Sequence, residues 1–513
     1  MKPGLAKLCV LFLLPALLLS GCWQEDPIDE NAGIVTSPSS SDVSSEESVA
    51  LPEVLSLPYY PSQTLDPVTC PDGIQQTVSA LLYEGLFELD EAFEPKNLLC
   101  TSSAYDSSTL TWTFTLRTGV LFSDGTALTA EDVAATLNRA RNSPRYQSRL
   151  SEVASVSASG SDTVIVVLSV ANTQLPVLLD IPIVKSGTEN SLVPVGTGPY
   201  TLSSSDDTAM LQSNSSWWKG QSQPIARIAL VAEDSRDTML YQFSSHEIQL
   251  ITADLTGNDP VSAIGNVSFY DADTTILQYV GFNTTTGVFA DAALRSALSL
   301  GINRSGIVSA FLSGHSTATQ FPLSPVSSLY PSDLEEAYSY ESFERAMSAA
   351  GYDVGKSHSV TMIVNQENGF KVASARQIAE ELSAFDLKVT VEALPFKEYT
   401  AALSEGKFDL YYGEVKLSAN WNLTPLLASG GALNYGRYSD VTLDLLLQEY
   451  GAASNETSAM HSICSYLKKQ APILPVCFKR VSVLTQSGVI DNLTPTAVNP
   501  FYDIGGCNIH LAK

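Results

Sequence analysis

Catalytic chemistry needs its groups in particular company, and this 513-residue chain does not supply that company. The five histidines, His246, His315, His358, His461 and His510, sit too far apart in sequence to form a local metal pair. There is no HExxH, no GxSxG elbow and no Ser-x-x-Lys set of the β-lactamase kind. Gly351-Tyr352-Asp353-Val354-Gly355-Lys356-Ser357 has three residues between its glycines where a phosphate loop has four. The residues therefore point to no enzyme and no cofactor. Binding chemistry is better served. Trp421 could wall a pocket, since an aromatic face gives contact area at little entropic cost. Asn434-Tyr435 follows Gly430 and Gly431 on an expected loop, where polar side chains reach ligands. Arg437 is a further candidate, for a carboxylate. Each has a plainer alternative: a core tryptophan, a turn-stabilising asparagine and a solvated arginine.

The elements that would position these groups are readable. Leu110 to Arg117 alternates apolar and polar, as a strand with one buried face does. Ser123-Asp124-Gly125-Thr126 reads as a turn. Thr129-Ala130-Glu131-Asp132 resembles a capping box with Asp for the usual Glu, opening a helix that carries Val133 and Leu137. Val360 to Val364 reads as a strand, and Val372, Ala375, Ile378, Leu382 and Phe385 form a helical stripe. Leu387 to Val391 is a strand, Phe396 to Leu403 a short helix and Phe408 to Tyr412 a strand. That alternation implies a partly parallel sheet covered by helices, an α/β fold.

Twenty-eight basic residues against 55 acidic ones give a formal charge of −27, which disfavours nucleic acid. Lys2 and Lys7 precede the apolar run Leu8–Leu19, too short for a span but right for a secretory signal. The run ends in Leu19-Ser20-Gly21-Cys22, which resembles a lipobox with Cys22 as the lipidated residue. Residues 1–21 are then a signal peptide, and 22–50, rich in Ser and acids without Lys or Arg, a lipid-anchored disordered tether. The place is the outer face of the cytoplasmic membrane, and the long tether suggests a Gram-positive surface rather than a periplasm. This compartment permits disulfides. The expected pairs are Cys70–Cys100 and Cys464–Cys477, with Cys507 free, or else five buried thiols.

The run Trp112 to Arg139, WTFTLRTGVLFSDGTALTAEDVAATLNR, resembles the signature of the family 5 extracellular solute-binding proteins. Supporting stretches follow in order: Leu65-Asp66-Pro67, Leu82-Tyr83-Glu84-Gly85-Leu86-Phe87, Val195-Gly196-Thr197-Gly198-Pro199-Tyr200, and Asn214 with Trp217-Trp218-Lys219-Gly220. Gly281-Phe282-Asn283-Thr284, Arg295-Ser296-Ala297-Leu298, Ile302-Asn303-Arg304 and Ala349-Ala350-Gly351-Tyr352 complete the set. The resemblance implies a two-lobed periplasmic-binding-protein-like clamp of class II type, with mixed sheets and an extra inserted subdomain. Lobe I would be 51–76, 190–277 and 485–513, the subdomain 77–189, and lobe II 278–484. It implies a monomer that captures oligopeptides or dipeptides in a cleft and hands them to an ABC permease and ATPase. Nickel chelates, haem, sugars and modified amino acids are alternative cargoes of such clamps, and a non-transport receptor an alternative use.

Peptide-binding relatives carry an Asp, for the cargo's amine, in the segment that is Glu414-Val415-Lys416-Leu417-Ser418-Ala419-Asn420-Trp421-Asn422-Leu423 here. No Asp is present. Glu414 is the acid nearby, and Asn420 or Asn422 falls near the expected place. The resemblance thus implies a ligand site of Glu414, Asn420, Trp421, Asn434, Tyr435 and Tyr60, with Glu414 on the amine or a cargo lacking one.

Overall fold

The structure is a computed structural model that describes residues 51–512 apart from 72, 206–207 and 262–264. Cys22, the signal segment and the tether lie outside the described residues.

Three main sheets organise the chain. A four-stranded mixed sheet runs in the order Leu55–Tyr59, Arg227–Ala232, Thr208–Ser213, Tyr200–Ser205, its first pair parallel. A four-stranded antiparallel sheet holds Cys100–Asp106, Thr111–Leu116, Thr163–Leu168 and Val153–Ser159. A seven-stranded sheet runs Leu250–Ala253, Ile473–Gln486, Val267–Phe282, Leu410–Lys416, His358–Asn365, Leu387–Leu394, with Ser316–Ala318 beside Ile473–Gln486.

The expected strand–helix–strand–helix–strand unit is present. His358–Asn365 pairs in parallel with both Leu387–Leu394 and Leu410–Lys416, and Gly369–Leu382 and Phe396–Glu405 are the helices between them. Phe385 is not part of the helical stripe. The helix stops at Leu382, and Phe385 sits in a left-handed turn at φ 58°, stacked against Tyr340. The capping box at Thr129 forms as expected: Thr129 N donates to Asp132 Oδ2 at 2.9 Å, and the helix runs Ala130–Ala140. Trp112, Phe114 and Leu116 face the core, as their alternation requires.

The long strands Val267–Phe282 and Ile473–Gln486 lie antiparallel side by side. Their register breaks between Asp273 and Leu277 and again between Gln278 and Tyr279. Such irregularities bend a strand locally and re-aim the side chains beyond them.

Several stretches that carry the family resemblance are joints rather than binding groups. The buried Glu84 carboxylate accepts Trp217 Nε1 at 3.0 Å, Trp218 Nε1 at 2.8 Å and Thr197 Oγ1 at 2.9 Å. Burial pushes its pKa up, and these donors hold it back. Gly196 and Gly198 are required because a Cβ at either would lie 2.2 or 2.5 Å from the Leu82 backbone. Asp66, fully buried, accepts two bonds from the Arg139 guanidinium.

The expected disulfides are not formed. Cys70, Cys100, Cys464 and Cys477 are buried thiols, as is Cys507. Cys464 and Cys477 belong to cores on opposite faces of the seven-stranded sheet, so the sheet itself separates them. Cys100 lies in the core of the antiparallel sheet, its thiol 3.2 Å from Ser102 O. Cys70 sits in the turn after Asp66, its sulfur 4.0 Å from Ser79 Oγ.

Candidate functional site

Parallel strands place their ligand-binding groups beyond their carboxyl ends, where the connecting loops begin. In the seven-stranded sheet that edge carries the loop from Asn365 to Asn368. Asn368 caps the helix Gly369–Leu382, its Oδ1 accepting Lys371 N at 2.9 Å. Its amide also donates to Thr256 O at 3.0 Å, so the loop after strand Leu250–Ala253 is tied to this helix end.

Four charges meet beside that tie. Lys371 Nζ lies 3.2 Å from Glu414 Oε1, and Lys479 Nζ lies 3.8 Å from Glu414 Oε2. Lys479 also pairs with Asp254, from the loop after Leu250–Ala253. Gln278, fully buried, donates to Glu414 Oε2 at 3.0 Å and accepts from Tyr412 Oη at 2.8 Å. The Lys479 side chain is 3 % exposed, whereas Asp254 is 44 % exposed. Two ammonium and two carboxylate groups cancel, so the cluster carries no net charge. Its buried member is a cation, and it tolerates burial only because both carboxylates face it.

Glu414 is therefore placed in a charged site, but its carboxylate is already held by two lysines and an amide. Asn420 is a turn residue: its Oδ1 accepts Ser418 Oγ at 2.6 Å, and its carbonyl accepts Tyr450 Oη at 3.0 Å. Trp421 does not wall an open pocket. It is 2 % exposed and packs edge-on against Phe93 and Phe478, at 5.4 and 5.7 Å between ring centres. Asn434 is a turn residue as well, donating to Ala428 O and Tyr438 O at 2.9 and 2.7 Å and accepting from Tyr438 N at 3.1 Å. Tyr435 is half-buried, edge-on to Tyr411 at 6.2 Å. Tyr60 is half-buried at the end of strand Leu55–Tyr59, its backbone bonded on both sides by the Gln75 amide. Arg437 is exposed and donates to Glu405 O.

Lys371, Lys479, Gln278 and Asp254 were not singled out by sequence. Lys479 did leave a trace, as a lysine that follows the apolar run Ile473–Phe478, where a charge is out of place unless paired.

Glu233 follows strand Arg227–Ala232, its N–H donating to Tyr59 O at 2.9 Å. Both its carboxylate oxygens are buried without a hydrogen-bond partner, and burial raises its pKa to about 7, helped by Asp234 and Glu247. Its ordinary value is 4.5, so between about pH 4.5 and 7 the folded chain binds more protons than the unfolded one. Stability from this group is complete below that window and is lost as pH rises through it. Glu233→Gln is expected to stabilise the protein by about 1–3 kcal/mol at pH 8 and to be near neutral at pH 4.5. Urea unfolding at the two pH values checks this, and equal effects at both would remove ionisation as the cause.

Three comparisons with known proteins bear on the site. The profile of the bacterial extracellular solute-binding proteins, family 5 Middle, matches residues 94–432. The chain is 24 % identical over 462 residues to the glutathione-binding protein GsiB of Shigella dysenteriae, covering 82 % of this chain and 87 % of that one. Among solved structures it resembles the ABC transporter substrate-binding protein CtaP of Listeria monocytogenes, with TM-score 0.71, 18 % identity and coverage of 90 % of this chain and 99 % of that one. It also resembles HbpA2 of Haemophilus parasuis, with TM-score 0.73, 19 % identity and coverage of 89 % and 100 %. Both likenesses are of a two-lobed fold with mixed sheets.

Proposed function

The chain belongs to the family 5 bacterial extracellular solute-binding proteins, and on that premise we propose that it takes short zwitterionic peptides between its lobes and delivers them to the permease of an ABC importer. Capture of a small ligand outside the cytoplasm and delivery to permease and ATPase subunits is the business of the family, whose members are carriers and not catalysts. The peptide assignment is our own, and the charge quartet carries it.

Lys371, Lys479, Glu414 and Asp254 neutralise one another. A cargo that enters must replace these pairings without leaving a buried charge alone. A lone cation or anion would leave one partner stranded. A zwitterion replaces both kinds at once, its carboxylate taking Lys479 and its ammonium the carboxylate that Lys479 gives up. Glu414 then serves the amine although the expected Asp is missing. Tyr60 and Tyr435 would flank the cargo. Hinge closure would bend Val267–Phe282 and Ile473–Gln486 near their register breaks. In this reading 51–76, 190–277 and 485–513 form one lobe, 77–189 its inserted subdomain and 278–484 the other lobe. Lipidated Cys22 and the acidic tether would hold a monomeric body at the cell surface.

Native mass spectrometry of the protein purified without denaturation, with sequencing of whatever it releases, tests this. Co-purified peptides of two to several residues are the expected result, and glutathione is the added probe suggested by GsiB. Recovery of a metal chelate, haem or a sugar in their place would end the peptide reading.

A further inference from the structure

The turn between strands Phe87–Leu89 and Pro95–Asn97 does something its own sheet does not need. Leu86, Phe87 and Leu99 pack in the core of the antiparallel sheet, but Phe93 at the tip does not. It belongs to a different core, built on the seven-stranded sheet from Trp421, Leu423, Leu426, Ile463 and Phe478. Phe93 is 7 % exposed there. Its ring meets Trp421 edge-on at 88°, and Trp421 meets Phe478 in the same way at 84°.

The tip is built to present this ring. Asp90 Oδ1 accepts Ala92 N and Glu94 N, both at 2.9 Å, and Phe93 N donates to Asp90 O at 3.0 Å. These bonds hold Phe93 in the left-handed region at φ 65°, a conformation a phenylalanine adopts only when its surroundings impose it. Polar contacts link the same two parts of the chain. Glu94 accepts Ser328 Oγ, and Asn422 Nδ2 donates to Glu152 Oε1 at 3.2 Å. Thr173 N and Oγ1 donate to Gly451 O and Ala453 O at 3.0 and 3.1 Å. A buried aromatic anchor accompanied by modest polar contacts is the anatomy of a separable interface, in which the anchor carries most of the energy.

We infer that Phe93 is the bolt of the clamp: its insertion against Trp421 holds the inserted subdomain to the opposite lobe, and opening withdraws it. The inference rests on the clamp reading above. Closure is then set by an aromatic lock at the mouth as well as by bending of the long strands. Trp421, which sequence offers as a cargo wall, is the keeper of this bolt, and it acts on cargo only through closure. Phe93 is accordingly a positioning residue.

The test uses Phe93→Ala and Phe93→Leu in the full chain. Spin labels go on cysteines introduced as Glu91→Cys and Thr457→Cys, both exposed positions, while the described native cysteines are buried. Distances are measured without cargo, so the outcome does not depend on what the cargo is. Phe93→Ala is expected to add a second, longer distance population, and Phe93→Leu to add less of it. Release of the co-purified ligand should quicken about 10- to 100-fold in Phe93→Ala with association little changed. A merely structural role would lower thermal stability without producing a second distance. One unchanged distance in both variants would overturn the proposal, whatever the release rate. So would an unchanged distance in Phe93→Leu should Phe93→Ala fail to fold.

Discussion

Replacing Lys479 by methionine is expected to weaken cargo binding by about 30- to 700-fold while leaving the protein folded. The size follows from truncating one partner of a buried charge pair, about 2–4 kcal/mol, at 1.4 kcal/mol per decade. The tolerance of the fold follows from what the neighbours retain. Methionine keeps the aliphatic stem of a side chain that is 3 % exposed. Glu414 still has Lys371 at 3.2 Å and the Gln278 amide at 3.0 Å, and Asp254, 44 % exposed, can turn to water. Lys371→Met is the internal comparison. That lysine is 14 % exposed and faces Glu414, so water can replace part of what it does, and a loss of about 3- to 10-fold is expected. Calorimetric titration of both variants with the released cargo decides the matter. Binding by Lys479→Met within threefold of the parent would show that the quartet is a structural tie between loops and not the cargo's seat.

Why sequence found one member of that quartet and missed three is a matter of range. The capping box at Thr129 and the strand Thr111–Leu116 are legible because their causes lie within a few residues: a side chain reaching three positions back, and an alternation that matches the pleat. The quartet draws on a loop after residue 253, a helix start at 369 and strands at 414 and 479. Nothing local marks those places as neighbours. The same distance in sequence hides the partner of Trp421. A tryptophan beside polar residues reads equally well as a pocket wall or as core, and partners distant in sequence decide it: Phe478 and, more than 300 positions away, Phe93. Phe385 fails for a local reason. Its spacing continues the helical stripe, but helical periodicity carries no signal for where the chain turns left-handed.

Several stretches that carry the family resemblance are joints that hold distant parts of the chain together. Leu65-Asp66-Pro67 and the end of the long Trp112–Arg139 run are 73 residues apart, yet they meet as one ion pair. Arg139 Nη1 and Nη2 both donate to Asp66, the first at 2.5 Å and the second at 2.9 Å. Thr69 Oγ1 adds a bond of 2.7 Å to the same carboxylate. Arg139→Met is expected to cost about 3–5 kcal/mol, since the Asp66 side chain is 1 % exposed and would be left charged with only Thr69 and the Val68 N–H. The reverse change should cost less, because Arg139 is 27 % exposed and water can reach it. The cost is Coulombic, so it has a Coulombic rescue. Asp66→Asn added to Arg139→Met removes the stranded charge while keeping the shape, and should recover at least half of the loss. Urea unfolding followed by tryptophan fluorescence compares the parent, both single variants and the double variant. A double variant as unstable as Arg139→Met alone would mean that packing of the arginine stem, and not its charge, holds this joint closed.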